Sequence, residues 1–156
     1  MSKTQRKNSN STTRKNLYTD KSSASFLLKN FQREVTMVFL QVLLMIKLYH
    51  WKTYSYATHK ATDELYAKLN EHMDRFLEIL LGKTEKRTNF MNVKSIKLID
   101  LDSADKLKVK INNFKGYLVN LNNNKAMKLM SNMDLLTVRD EILGDLNQFL
   151  YLLTFK

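Results

Sequence analysis

The chain has 156 residues, enough for one domain with a real core, and a formal net charge of +11. It contains no Cys, which excludes disulfides and thiolate metal sites and points to an intracellular setting. With no Pro, only three Gly and apolar residues recurring at helical spacing, the composition points to an all-α protein.

Residues 1–23 are rich in Ser, Thr, Asn and Lys, and carry Lys3, Arg6, Lys7, Arg14, Lys15 and Lys21 against Asp20. So little apolar content predicts a disordered basic tail, with the folded domain over residues 24–156. Such an arm can neutralise nucleic-acid phosphates without reading base edges. A solubilising tail, or a peptide threaded along a protein partner, fits the same composition. The N-terminus is polar up to a first apolar run near Phe26, so no secretory signal is expected.

The first helix is predicted from an N-cap at Ser25 to Lys52, with Leu27, Phe31, Val35, Val38, Val42, Ile46 and Tyr49 as its buried stripe. Within it, Met37–Ile46 is apolar apart from Gln41. Ten residues fall short of the roughly 20 needed to cross a bilayer, so the run predicts a buried helix and no membrane span. Thr53–Ser55 form a turn. The second helix is predicted over Tyr56–Leu81, burying Tyr66, Leu69, Met73, Phe76 and Leu80, with Gly82 as its stop. Met37, Met45, Met73, Met127, Met130 and Met133 are expected in the core.

Residues 83–101 lack helical period and are basic through Lys83, Lys86, Arg87, Lys94 and Lys97. A link of that length is long enough to traverse a bundle. The third helix starts at an Asp102 or Ser103 cap, buries Leu107, Ile111, Phe114, Leu118 and Leu121, and ends at Asn122–Asn124. The fourth follows a capping-box-like Ser131-x-x-Asp134 and buries Leu135, Val138, Ile142, Leu146, Phe149 and Leu153. A short turn, a long link and another short turn between four amphipathic helices predict a ferritin-like four-helix bundle, with an ordinary up-down bundle as the alternative.

The chemistry-bearing residues cluster on the first helical pair. Asp74 and Glu78 are four residues apart and share one helix face, where like charges repel slightly unless a cation lies between them. His59 lies on the same helix, but fifteen residues of helix at about 1.5 Å each put it roughly 22 Å away. A metal held by all of His50, His59, Asp74 and Glu78 therefore needs two chains, the imidazoles of one meeting the carboxylates of the other. Asp63, four residues after His59, is either a carboxylate orienting an imidazole or an ordinary surface group. Trp51 and Tyr66 read as packing residues at a helix or subunit contact, and His72 as a surface residue. No Gly-rich phosphate loop, nucleophile elbow or Cys–His set is present.

The stretch from His50-Trp51 through His59, Asp63 and Tyr66 to Asp74-x-x-x-Glu78 resembles the Dps family, the DNA-binding mini-ferritins, over about residues 45–82. That resemblance implies His50 and His59 as the imidazoles, Asp74 as the facing carboxylate of a two-fold related subunit and Glu78 as the bridging or second one. It further implies a homo-oligomer through the first two helices and a ferroxidase that oxidises Fe2+ to Fe3+ with peroxide or oxygen. Zinc suits the same mixed donors. The His50–His59 interval is shorter than is usual in that family, and the C-terminal half shows no such likeness, so a closed cage is not implied. The wording His-Trp-Lys-Thr with Ser-Tyr-x-x-His is also similar to ferritin-like proteins of large DNA viruses. That likeness implies a non-enzymatic alternative: a minor capsid or genome-packaging component held by other virion proteins.

Overall fold

The computed structural model describes residues 10–155, with side chains from residue 21 onward. Four helices account for most of it: α1 (Asn10–Lys52), α2 (Tyr56–Thr84), α3 (Ala104–Asn120) and α4 (Met133–Leu152). Among the described residues there is no strand, and no helix is long and apolar enough to cross a membrane.

The helices form because each carries one apolar face that the others bury. At the centre, Phe39 of α1 meets Phe76 of α2 edge-on at 5.4 Å and Phe114 of α3 edge-on at 6.2 Å. Leu135, Ile142 and Leu146 of α4 complete the core, each fully buried. The α1 stripe is displaced from the expected one. Phe39 and Met45 are buried while Leu27 and Val38 are only partly so, because the packed face lies between α2 and α3 rather than along one strict line of spacing.

Chain direction can be read from the polar contacts. Lys83 at the end of α2 pairs with Asp134 at the start of α4 at 2.7 Å, and Lys68, earlier in α2, reaches Gln148, later in α4, at 2.8 Å. The two helices are therefore antiparallel. Residues 85–103 climb beside α1 in ascending register. Arg33 donates to the Asn89 carbonyl, Gln41 to the Lys97 carbonyl at 3.4 Å, and Lys52 pairs with Asp100 at 2.7 Å. The long link thus crosses the length of the bundle, as its length predicts, and Leu101 is buried under it.

Several element ends differ from the sequence expectation. α1 begins at Asn10 rather than Ser25, so residues 10–23 of the expected disordered tail are helical here. Extending an established helix is far easier than nucleating one. Lys3, Arg6 and Lys7, and the side chains of Arg14 and Lys15, lie outside what is described. α4 is capped at Asn132 with no side-chain cap bond. The Ser131–Asp134 box does not form, because Asp134 turns to Lys83 and to the Leu135 amide instead. Ser103 caps α3 as expected, its hydroxyl accepting from the Lys106 amide at 3.3 Å. Met133 is 75% exposed and is not a core residue.

Gly82 does not stop α2. The helix runs on to Thr84, and Glu85 takes the left-handed cap position at φ 53. Gly82 is therefore an exposed helix-interior glycine, and a Cβ there meets nothing within 4 Å. Gly82→Ala should raise stability by about 0.5–1 kcal/mol in denaturant unfolding. A loss of stability would instead place a left-handed residue at Gly82.

Buried Arg139 was not anticipated. Its guanidinium donates to the Leu118 carbonyl at 2.9 Å and Asn122 Oδ1 at 3.1 Å, satisfying the last turn of α3 from α4.

Candidate functional site

The tight α1–α2 turn decides the local geometry. The Thr53 amide donates to the Tyr49 carbonyl at 3.0 Å, closing α1, and Ser55 Oγ accepts from the Thr58 amide at 3.2 Å, opening α2. His50 in the last turn of α1 is thereby laid on His59 in the first turn of α2. The rings stack at 3.9 Å between centroids with 23° between planes.

Each imidazole is held by the other residue's backbone. His50 Nδ1 lies 3.0 Å from the His59 carbonyl oxygen, and His59 Nδ1 lies 3.0 Å from the His50 carbonyl oxygen. Thr62 Oγ1, fully buried, sits 3.3 Å from His50 Nδ1 and gives its own proton to the Thr58 carbonyl. Carbonyls only accept, so both Nδ1 atoms carry a proton, and Nε2 is the position at which each ring in its neutral form could ligate. Metal-binding histidines have this arrangement, one nitrogen locked by an acceptor and the other left to ligate.

Asp63 faces His50, with Oδ1 3.8 Å from His50 Nε2. It also accepts from Lys47 Nζ at 3.3 Å, and that ammonium lies 4.9 Å from the Tyr66 ring centroid and 6.0 Å from that of Trp51. The hydrogen bond from Lys47 holds the Asp63 carboxyl below its ordinary value against a smaller opposing effect of burial, and the charges of Lys47, His50 and His59 add to the lowering. The folded state thus favours ionised Asp63. Its contribution is present above the ordinary carboxyl range and is lost as pH falls through the lower folded value. Lys47→Met should return the Asp63 midpoint toward the ordinary value of about 3.9 in a carboxyl-carbon NMR titration. An unmoved midpoint would show that Lys47 is not the cause.

Asp74 and Glu78 are exposed on the outward face of α2, and among the described residues neither makes an ion pair. Asp74 stands about four turns beyond His59 along α2, and Glu78 about one turn further. The structure brings His50, His59 and Asp63 together and keeps Asp74 and Glu78 apart from them. Among the described residues of one chain, no three His, Asp or Glu groups converge to hold a metal ion. Trp51 is 69% exposed rather than packed within its own chain.

His72 is not the isolated surface residue expected from the sequence. Its side chain is largely covered between α2 and α4. Nδ1 lies 2.8 Å from Asp145 Oδ2 without the alignment of a hydrogen bond, and Nε2 lies 4.0 Å from Glu141. Sequence separation hid this pair, since only the packing of α4 on α2 brings the residues together.

No curated protein and no solved structure matches the chain. A family model described as a family of unknown function, DUF5856, matches residues 50–153, from His50 through the end of α4, and the chain belongs to that family.

Proposed function

We propose that this protein is a Dps-like, ferritin-fold homo-oligomer that binds iron between two chains. The observation that carries the reading is the reciprocal locking of the His50 and His59 Nδ1 atoms, which leaves the Nε2 atoms as the ligating positions, that of His50 3.8 Å from Asp63. The ascending path of residues 85–103 beside α1 supports the ferritin-like connectivity, in which a long link joins two antiparallel pairs.

The donors fit a divalent first-row metal, since imidazole and carboxylate together suit iron and also zinc. His50 and His59 of one chain would hold it with Asp74 and Glu78 of another, each ring oriented by the other histidine's carbonyl, and Asp63 would lie on the metal side of the His50 ring. Bound there, Fe2+ is the substrate and supplies the electron that peroxide or oxygen accepts. The chain's own part is to hold both imidazoles aligned, and to set a carboxylate pair where added positive charge relieves its repulsion. The outer faces of α1 and α2 supply an apolar contact for the second chain: Leu40, Leu44, Trp51, Tyr54 and Tyr56 are all exposed. The basic tail, with Lys3, Arg6, Lys7, Arg14, Lys15 and Lys21, adds a nucleic-acid contact to this reading.

Those exposed side chains also favour a second reading, a non-enzymatic component of a virus particle that docks on other virion proteins through the same face. Elemental analysis after anaerobic exposure to Fe2+, with mass from light scattering, separates the two. The first reading expects a dimer or higher oligomer that retains iron. A monomer that retains none would overturn it.

A further inference from the structure

At the far end of the α1–α2 pair, residues 21–33 of α1 run beside the chain leaving α2. Together they wall an open groove of about 520 Å3, continued along α1 by a second hollow of about 250 Å3 that shares Ser25, Lys29, Gln32 and Lys86 with it. Five cations line the two: Lys21, Lys29, Arg33, Lys86 and Arg87. Among the described residues no acidic side chain lines either.

Parts of this groove are already held in place. Gln32, 3% exposed, forms its floor and donates from its amide to Thr84 Oγ1. Lys86 Nζ donates to Ser25 Oγ at 2.8 Å across the two walls. Arg33 is pinned by the Asn89 carbonyl and by the Phe90 ring 5.1 Å beneath its guanidinium. Holding donors before the ligand arrives lowers the entropy lost on binding. Five like charges, with no acidic side chain lining the groove among the described residues, repel one another, and a multivalent anion relieves that repulsion.

We propose that this groove binds an oligophosphate, gripping two or three adjacent phosphate groups through Lys29, Arg33, Lys86 and Arg87. Ammonium and guanidinium groups with a hydroxyl and an amide beside them match phosphate oxygens. A volume of about 520 Å3 falls within the usual range for small-ligand sites. Among the described residues no aromatic side chain lines the groove to stack a base, so the phosphates carry the affinity and any attached nucleoside goes unread. The groove is independent of the histidine pair, which lies roughly 38 Å away along α2.

Calorimetry on the full chain at about 50 mM salt tests this, because low salt preserves the phosphate contacts. Tripolyphosphate, ATP and GTP should bind alike, and AMP at least about tenfold more weakly. Replacing Lys29, Lys86 and Arg87 together by Gln should weaken tripolyphosphate binding about 100-fold. The same change at exposed Lys110, Lys125 and Lys128, with equal loss of net charge, should stay within about threefold. Acetylation of unaltered protein, read by mass spectrometry, should show tripolyphosphate shielding Lys29 and Lys86, a result that does not depend on any variant folding. No tripolyphosphate binding, no shielding, or equal weakening in both triple variants would overturn the proposal. So would binding of duplex DNA without tripolyphosphate binding, which would assign the groove to a nucleic-acid backbone.

Discussion

Mixing His59→Ala protein with Asp74→Ala protein should restore metal binding that neither variant shows alone. In a two-fold dimer each site takes its imidazoles from one chain and its carboxylates from the other. Either substitution in both chains spoils both sites. A mixed dimer gathers both changes into one site and leaves the other intact. Half of the dimers in an equal mixture are mixed, so roughly a quarter of the unaltered capacity should return. The expectation rests on separation along α2: about 22 Å of helix divides His59 from Asp74, far beyond a ligand bond of about 2 Å. Fe2+ or Zn2+ uptake measured after mild unfolding and joint refolding provides the readout. If both variants fold and dimerise yet the mixture stays empty, the shared site is wrong.

Phe39→Ala should lower stability by about 3–5 kcal/mol in denaturant unfolding. Phe39 is 1% exposed and its ring meets Phe76 and Phe114 edge-on, so it joins α1 to α2 and α3 at one point. Removing the ring loses its transfer energy and leaves a cavity that rigid neighbouring helices fill only in part. Set against the usual total of about 5–15 kcal/mol, the change removes a large share of the stability. Leu40→Ala, next along but 45% exposed, should change stability by no more than about 0.5 kcal/mol in the isolated chain. A loss below about 1 kcal/mol at Phe39 would show that the three rings are not the centre of the core.

Helical period made the class of fold, the order of elements and most of the apolar faces of α2, α3 and α4 readable from the residues alone. Leu69, Met73, Phe76 and Leu80, and likewise Leu107, Ile111, Phe114 and Leu118, are buried as their spacing predicts. The traversing link was visible in its length and missing period. His50, His59 and Asp63 were visible as a local grouping because nine residues and one turn separate the imidazoles. Local chemistry sufficed for the cap of α3 at Ser103, one of two candidates, whereas the cap at Ser55 was read only as part of a turn.

Tertiary structure decided which polar groups meet. His72 reads as a surface residue and nothing in the spacing singles out Gln32 or Arg139, yet each meets a residue at least 17 positions away in the chain. Helix stops followed the same rule: Glu85, rather than Gly82, ends α2, and Asp134 gives up its capping role to pair with Lys83. The reciprocal Nδ1 locking of the two histidines also needed the turn to bring the end of α1 onto the start of α2. Periodicity reports which face of one helix is apolar. It carries no information on which neighbour covers that face, because burial and hydrogen bonding depend on contacts between segments distant in sequence.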